Sequence, residues 1–132
     1  MKDDYSSGHG VSVIDTSTDE IVHTIPSSHQ ILSTHVTSSD LLLVSQVRGN
    51  LLIFSTTDQN YSLLGEVPVG TGPLTICSDR EGKTAFVAGV QAGIVTMVDL
   101  EKKEVVRMLE IDGAKKEGKA FHVGAHGMAI VP

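Results

Sequence analysis

Residues 11–26 alternate apolar and polar side chains, break at a polar stretch, and alternate again, as two short strands joined by a turn would. The same pattern returns at residues 95–110, where Met97 takes the place of Val13. These two residues are 84 positions apart, or two repeats of 42, and a weaker middle copy begins at Leu51. A period near 40 with four strands per unit is typical of the blades of a β-propeller.

The apolar runs predict about eleven strands, and no window keeps a helical period long enough to predict a helix. The sequence therefore predicts an all-β fold, a partial β-propeller with antiparallel four-stranded blades. Residues 1–10 form a polar lead-in and residues 11–132 the partial propeller. Its parts are an outer half-blade (11–26), a blade (27–70), a second blade (71–111), and a loop with the first strand of a further blade (112–132).

Composition narrows the classes of partner. Apolar residues make up 40% of the chain but aromatic residues only 4%, so the core must consist of Val, Ile, Leu and Ala. The net charge of −6 and the lack of a basic cluster argue against binding to nucleic acid or to an anionic membrane. Because Cys77 is the only cysteine, the chain has neither an internal disulfide nor a CxxC metal site. We find no signal peptide or transmembrane segment in this sequence, and the compartment stays open.

Several segments resemble the repeats of the YVTN family of β-propellers. They are residues 11–26, Gly72-Pro73, the run Gly-Lys-Thr-Ala-Phe-Val at 82–87, and residues 95–109. Residues 124–130, Gly-Ala-His-Gly-Met-Ala-Ile, are similar to the family's entry strand. The resemblance implies a ring of roughly six to eight blades, of which this chain covers about three. We therefore expect a fragment of a longer propeller, or copies that self-associate, each lending its opening strand pair to complete another's blade.

Two sets of residues are candidates for a site. His122 and His126 lie in a glycine-rich segment, and the resemblance places His126 at a strand entrance facing the central channel. Related propellers include haem-binding nitrite reductases and copper-containing nitrous oxide reductase, so these histidines are weak candidates for haem or copper ligands. We nevertheless expect no cofactor and no metal. The insertion between blades makes Lys115, Lys116, Lys119 and His126 candidates for a binding surface.

No catalytic group stands out. Asp15 and Asp99 recur with the repeat, which indicates turn formers rather than catalytic acids. Cys77 is interpreted as a small buried hydrophobe without a histidine partner. The sequence thus favours a non-catalytic repeat scaffold that binds a protein or a small ligand at its blade loops. The alternatives are part of a propeller enzyme, such as a lactonase-like hydrolase, or of a haem or copper redox propeller.

Overall fold

The computed structural model describes residues 10–111 and 127–131, and all of its regular structure is β-strand. The ten strands are β1 (Gly10–Asp15), β2 (Glu20–Pro26), β3 (Ile31–Val36), β4 (Leu41–Gln46), β5 (Asn50–Ser55), β6 (Leu63–Pro68), β7 (Pro73–Ser78), β8 (Thr84–Gly89), β9 (Ile94–Asp99) and β10 (Glu104–Glu110). Their bounds agree with the alternating runs of the sequence to within about two residues. An eleventh strand was expected at the end of the chain, but its described part, residues 127–131, forms no strand.

The strands form three antiparallel sheets. β1 pairs with β2, which we call the half-blade. The sheet β3-β4-β5-β6 is the first blade and β7-β8-β9-β10 is the second blade. Each strand pairs with its neighbour in the chain, as expected for meanders whose hairpin connections are short. The described residues therefore form one two-stranded sheet followed by two four-stranded sheets.

The turns that follow the equivalent strands β1 and β9 have the same side-chain hydrogen bond. The Asp15 carboxylate accepts a hydrogen bond from the Ser17 amide at 2.8 Å, and the Asp99 carboxylate accepts one from the Glu101 amide at 3.0 Å. Each aspartate therefore begins a turn that its own side chain stabilises. The hydrogen bond from the Ser17 hydroxyl, followed by that from its amide, lowers the pKa of Asp15. The interpretation of Asp15 as a turn former agrees with these contacts.

The two faces of the first blade each bury a core. One face packs against the second blade through a cluster that includes Leu43, Leu51 and Ile53, which are fully buried. The other face packs against the half-blade through a smaller cluster that includes Phe54 and Ile25. Since successive side chains of a strand point to opposite faces, a continuous apolar run such as that of β4 can serve both cores. We call these contacts the second interface and the first interface, respectively.

The outermost strand of each sheet carries a β-bulge at the same repeat position. The extra residues are Val22, Leu64 and Val106, and each is 42 residues from the next. All three are exposed apolar side chains. A bulge re-aims the residue it inserts, here away from the sheet. The repeat therefore includes the β-bulges of the outermost strands. A position at which the sheets differ consequently marks a local difference in packing.

Candidate functional site

The second interface shows how the repeat closes the space between two blades. The connection that leaves β6 places Val69 in the interface with none of its surface exposed. The Thr96 hydroxyl donates a hydrogen bond to the Val69 carbonyl at 2.9 Å, so the connection is fixed to the second blade. At Gly70, which has a φ of +87°, an added Cβ would lie 2.8 Å from Cδ1 of Ile94. The chain passes so close here that only glycine fits without a shift.

The first interface departs from this pattern at the equivalent positions. Pro26 and Pro68 end β2 and β6 and are 42 residues apart, so Ser27 stands where the second interface has Val69, and Ser28 where it has Gly70. Gln46 ends β4 as Gly89 ends β8. The first interface thus has polar side chains where the second interface has Val69, the buried apolar residue that we call the plug. At Ser28 the connection carries a side chain where the second interface has the closely packed Gly70.

A cleft of about 440 Å³ opens at this departure. Its apolar part comes from the strands of the first blade, with Leu52, Phe54 and Leu63. Its polar part comes from the connection and from the strand ends, and consists of Ser27, Ser28, His29, Gln46, Asn50 and Glu66. Small-molecule sites are typically concave, mostly apolar and supplied with a few fixed polar groups. The cleft is concave but more polar than such sites, since six of its ten lining residues are polar, and Glu66 supplies a carboxylate.

Local hydrogen bonds hold the polar wall of the cleft in place. The Ser27 hydroxyl donates to the His29 carbonyl at 2.7 Å, and the Gln46 amide donates to the Ser27 oxygen at 2.9 Å. Gln46 is only 3% exposed, so its amide is a buried polar group that the serine satisfies. Pro26 cannot donate to a continuing ladder, which ends β2 and lets the connection turn across the interface. The wall is therefore fixed rather than a loose loop.

A second polar feature joins the inner strands of the two blades. Nε2 of His35, on β3, lies 2.9 Å from the Ser78 hydroxyl, on β7, although the two residues are 43 positions apart. Burial lowers the pKa of His35, so its ring is neutral at neutral pH. A neutral imidazole at this distance can accept the serine proton, as in Ser–His nucleophilic sites. Within residues 10–111, however, no carboxylate is hydrogen-bonded to the ring to orient it.

The neighbouring turns tie the same edges together. The Ser38 hydroxyl donates to the Arg80 carbonyl at 2.7 Å, and the Ser39 hydroxyl donates to the Gly82 carbonyl at 2.5 Å. The turn after β3 is thus bonded to the turn after β7. With the His35–Ser78 pair, these bonds form a polar seam along one end of the second interface. These hydrogen bonds join the two blades in addition to the apolar core between them.

The residues that the sequence singled out as site candidates lie apart from both features. Lys115, Lys116, Lys119, His122 and His126 all fall outside the described residues. Among the residues that are described, no group of three or more His, Cys, Asp or Glu side chains could hold a metal ion. No helix of the described chain is long and apolar enough to span a bilayer.

Sequence reasoning missed the cleft and the His35–Ser78 pair. Each depends on residues that are far apart in the chain and meet only where sheets pack. One signal was present, because an alignment of the repeat places Ser27 opposite Val69. A polar residue at a position that the repeat buries marks a departure from the common packing. The pair had no comparable signal, since histidines and serines are scattered along the chain.

Comparisons with known proteins identify the fold. The sequence matches no family model and no curated protein. The structure is similar to Kuenenia stuttgartiensis hydrazine synthase, with a TM-score of 0.72 and 23% identity over 81% of this chain. It is also similar to the dihydro-heme d1 dehydrogenase NirN in complex with DHE, with a TM-score of 0.67 and 17% identity over 80% of this chain.

These matches confirm the predicted fold class, an all-β partial β-propeller of four-stranded antiparallel blades. At these identities the likeness establishes the fold alone. The chain spans 31% of the hydrazine synthase chain and 23% of the NirN chain. It thus corresponds to under a third of either protein.

Proposed function

We propose that this chain is a segment of a YVTN-type propeller that acts as a non-catalytic binding scaffold, with the cleft of the first interface as its ligand site. The observation that carries the proposal is a pair of replacements in the first interface: Ser27 stands where the second interface buries Val69, and Gln46 stands where it has Gly89. These replacements leave a cleft in the first interface and line it with polar side chains. Neither the cleft nor its polar lining is needed for two sheets of this repeat to pack, because the second interface packs without them.

The chemistry of the cleft suggests what it binds. Leu52, Phe54 and Leu63 offer an apolar surface, while Asn50 and Glu66 offer an amide and a carboxylate at its edge. A small ligand or a short protein segment with an apolar body and a hydrogen-bond donor complements this arrangement. The Glu66 carboxylate favours a cationic donor over an anionic one.

The proposal is tested by nuclear magnetic resonance with a fragment library and a set of short peptides. We expect amide shift changes concentrated at the cleft, at residues such as Ser28, His29 and Asn50. The double variant Ser27→Val with Gln46→Leu supplies an apolar side chain at the position of Val69 and removes both partners of the Gln46–Ser27 hydrogen bond, so that only the part-buried Ser27–His29 bond is left unmade. Binding should be lost in this folded variant. Shift changes that persist in it, or that cluster elsewhere, would overturn the cleft as the site.

The redox alternative remains a prediction. NirN is by its name a dihydro-heme d1 dehydrogenase, and this chain shares its fold at 17% identity. The candidate ligands His122 and His126 lie outside the described residues, so the structure does not test them. Reconstitution of the purified chain with haem or copper, followed by absorption spectroscopy, tests this alternative. A spectrum unchanged from that of the free cofactor would end it.

The hydrolase alternative also remains a prediction, and the His35–Ser78 pair gives it a defined test. Incubation with a fluorophosphonate probe should label Ser78 if the pair is nucleophilic, because such reagents react with activated serine hydroxyls. Absence of labelling in the folded protein would leave the pair with its role in joining the blades.

A further inference from the structure

The connection between β5 and β6 is three residues longer than its two equivalents in the repeat. It consists of residues 56–62, whereas residues 16–19 connect β1 to β2 and residues 100–103 connect β9 to β10. Insertions into single repeats map to loops on one face of a repeat fold, and such loops often carry function. A function specific to this loop would rest on residues that the two shorter connections lack.

The loop contains an acceptor sequence for N-linked glycans. Residues 58–62 are Asp-Gln-Asn-Tyr-Ser, so Asn60 and Ser62 form the pattern Asn-x-Ser, in which x is not proline. Many bacterial oligosaccharyltransferases also require an acidic residue two positions before the asparagine, and Asp58 stands there. The other asparagine of the chain, Asn50, is followed by two leucines and lies in no such pattern. The longer loop thus carries the one acceptor sequence of the chain.

The fold of the loop presents this sequence to solvent. Asn60 and Ser62 are exposed, and within the described part of the chain no hydrogen bond holds the Asn60 side-chain amide. The Asp58 carboxylate accepts hydrogen bonds from the backbone amides of Asn60 at 3.0 Å and Ser62 at 3.1 Å. The ring of Tyr61 stacks on that of His23 in the half-blade, with centroids 5.0 Å apart. A sugar joined to the Asn60 side chain displaces none of these contacts.

We propose that Asn60 is an acceptor for N-linked glycosylation of the exported chain, with Asp58 and Ser62 as the residues that the modifying enzyme recognises. The donor is an oligosaccharide carried on a polyprenyl pyrophosphate, which the cell supplies with the oligosaccharyltransferase. Nδ2 of Asn60 forms a bond to C1 of the first sugar and releases one proton. The bond between C1 and the pyrophosphate oxygen breaks, and its electron pair leaves with the polyprenyl pyrophosphate. The inference is independent of the ligand site in the first interface, and either can fail alone.

The test is export of the 132-residue chain, fused to a signal peptide, from a bacterial host that carries a lipid-linked oligosaccharide and an oligosaccharyltransferase of the class that requires the acidic residue. Mass spectrometry of the exported chain should show the added mass of one oligosaccharide. Trypsin cleaves after Arg48 and Arg80, and the peptide between these cuts contains both asparagines. Its fragmentation should place the sugar on Asn60 and leave Asn50 unmodified, so Asn50 is an internal control.

Single substitutions in the loop separate recognition from folding. Ser62→Ala should lose the added mass and Ser62→Thr should keep it, because threonine retains the hydroxyl that the acceptor sequence requires. Asp58→Asn keeps an acceptor oxygen for the turn but removes the charge, and should also lose the added mass. Gln59→Ala is the matched control and should be modified like the unchanged chain, since Gln59 is exposed and outside the pattern. Circular dichroism of every variant shows whether its strands are retained.

Three outcomes would overturn the proposal. The first is an exported chain of unchanged mass in cells that glycosylate a reference protein carrying the same five residues. The second is a sugar attached at a residue other than Asn60. The third is modification that persists in Ser62→Ala or Asp58→Asn at the level seen in Gln59→Ala.

Discussion

Exchanging the plug residues between the two interfaces gives the sharpest test of how the blades pack. Val69→Ser removes a side chain with no exposed surface, and Ser27→Val makes the opposite change at the equivalent position. If the two interfaces differ as described, exchanging valine and serine changes the free energy of unfolding by unequal amounts in the second and the first interface.

The magnitudes follow from burial and hydrogen bonds. Burying a valine side chain is worth about 1.5–3 kcal/mol. Val69→Ser forfeits most of this, leaves a cavity, and puts a hydroxyl in an apolar site, so we expect a loss of about 2–4 kcal/mol. Ser27→Val gains apolar burial in the cleft but leaves the buried Gln46 amide without its partner, which costs about 1–3 kcal/mol. Its net effect should lie within about 1 kcal/mol of zero.

Urea unfolding followed by circular dichroism measures both variants against the unchanged chain. The slope of the free energy of unfolding against urea should stay constant, since neither substitution alters the surface exposed on unfolding by much. A loss below about 1 kcal/mol for Val69→Ser would refute the view that Val69 is an essential plug. Equal losses for the two variants would show that the first interface is as closed as the second.

Two further predictions concern titratable groups in the blades. Because burial lowers the pKa of His35 below its ordinary value near 6.5, the folded state resists protonation, and stability present above that pH should fall as pH drops through it. His35→Gln should flatten this part of the stability profile, and a profile that the substitution leaves unchanged would contradict the assignment. Burial raises the pKa of the Cys77 thiol, so labelling with a disulfide reagent near pH 8 should be slower than for a free thiol. Labelling of the folded chain as fast as that of glutathione would show that the thiol is not shielded.

The strands were predictable because their signal is local. Alternation of apolar and polar residues over five or six positions fixes which side chains face the core, and the repeat of 42 gives each strand position two or three examples. Pro26 and Pro68 end equivalent strands for a local reason as well, namely the missing backbone donor. Residues 127–131, the described part of the last predicted strand, form no strand.

The sequence by itself determined the order and period of the ten strands that the described residues form, and with them the propeller fold. Only the tertiary structure decided which interface is closed and which is open. Ser27 and Gln46 are 19 positions apart and His35 and Ser78 are 43 apart, and each pair meets only when connections and sheets pack. Local patterns specify the faces of a strand, but the space between two sheets depends on the side chains of both. The cleft and the His35–Ser78 pair belong to that second level.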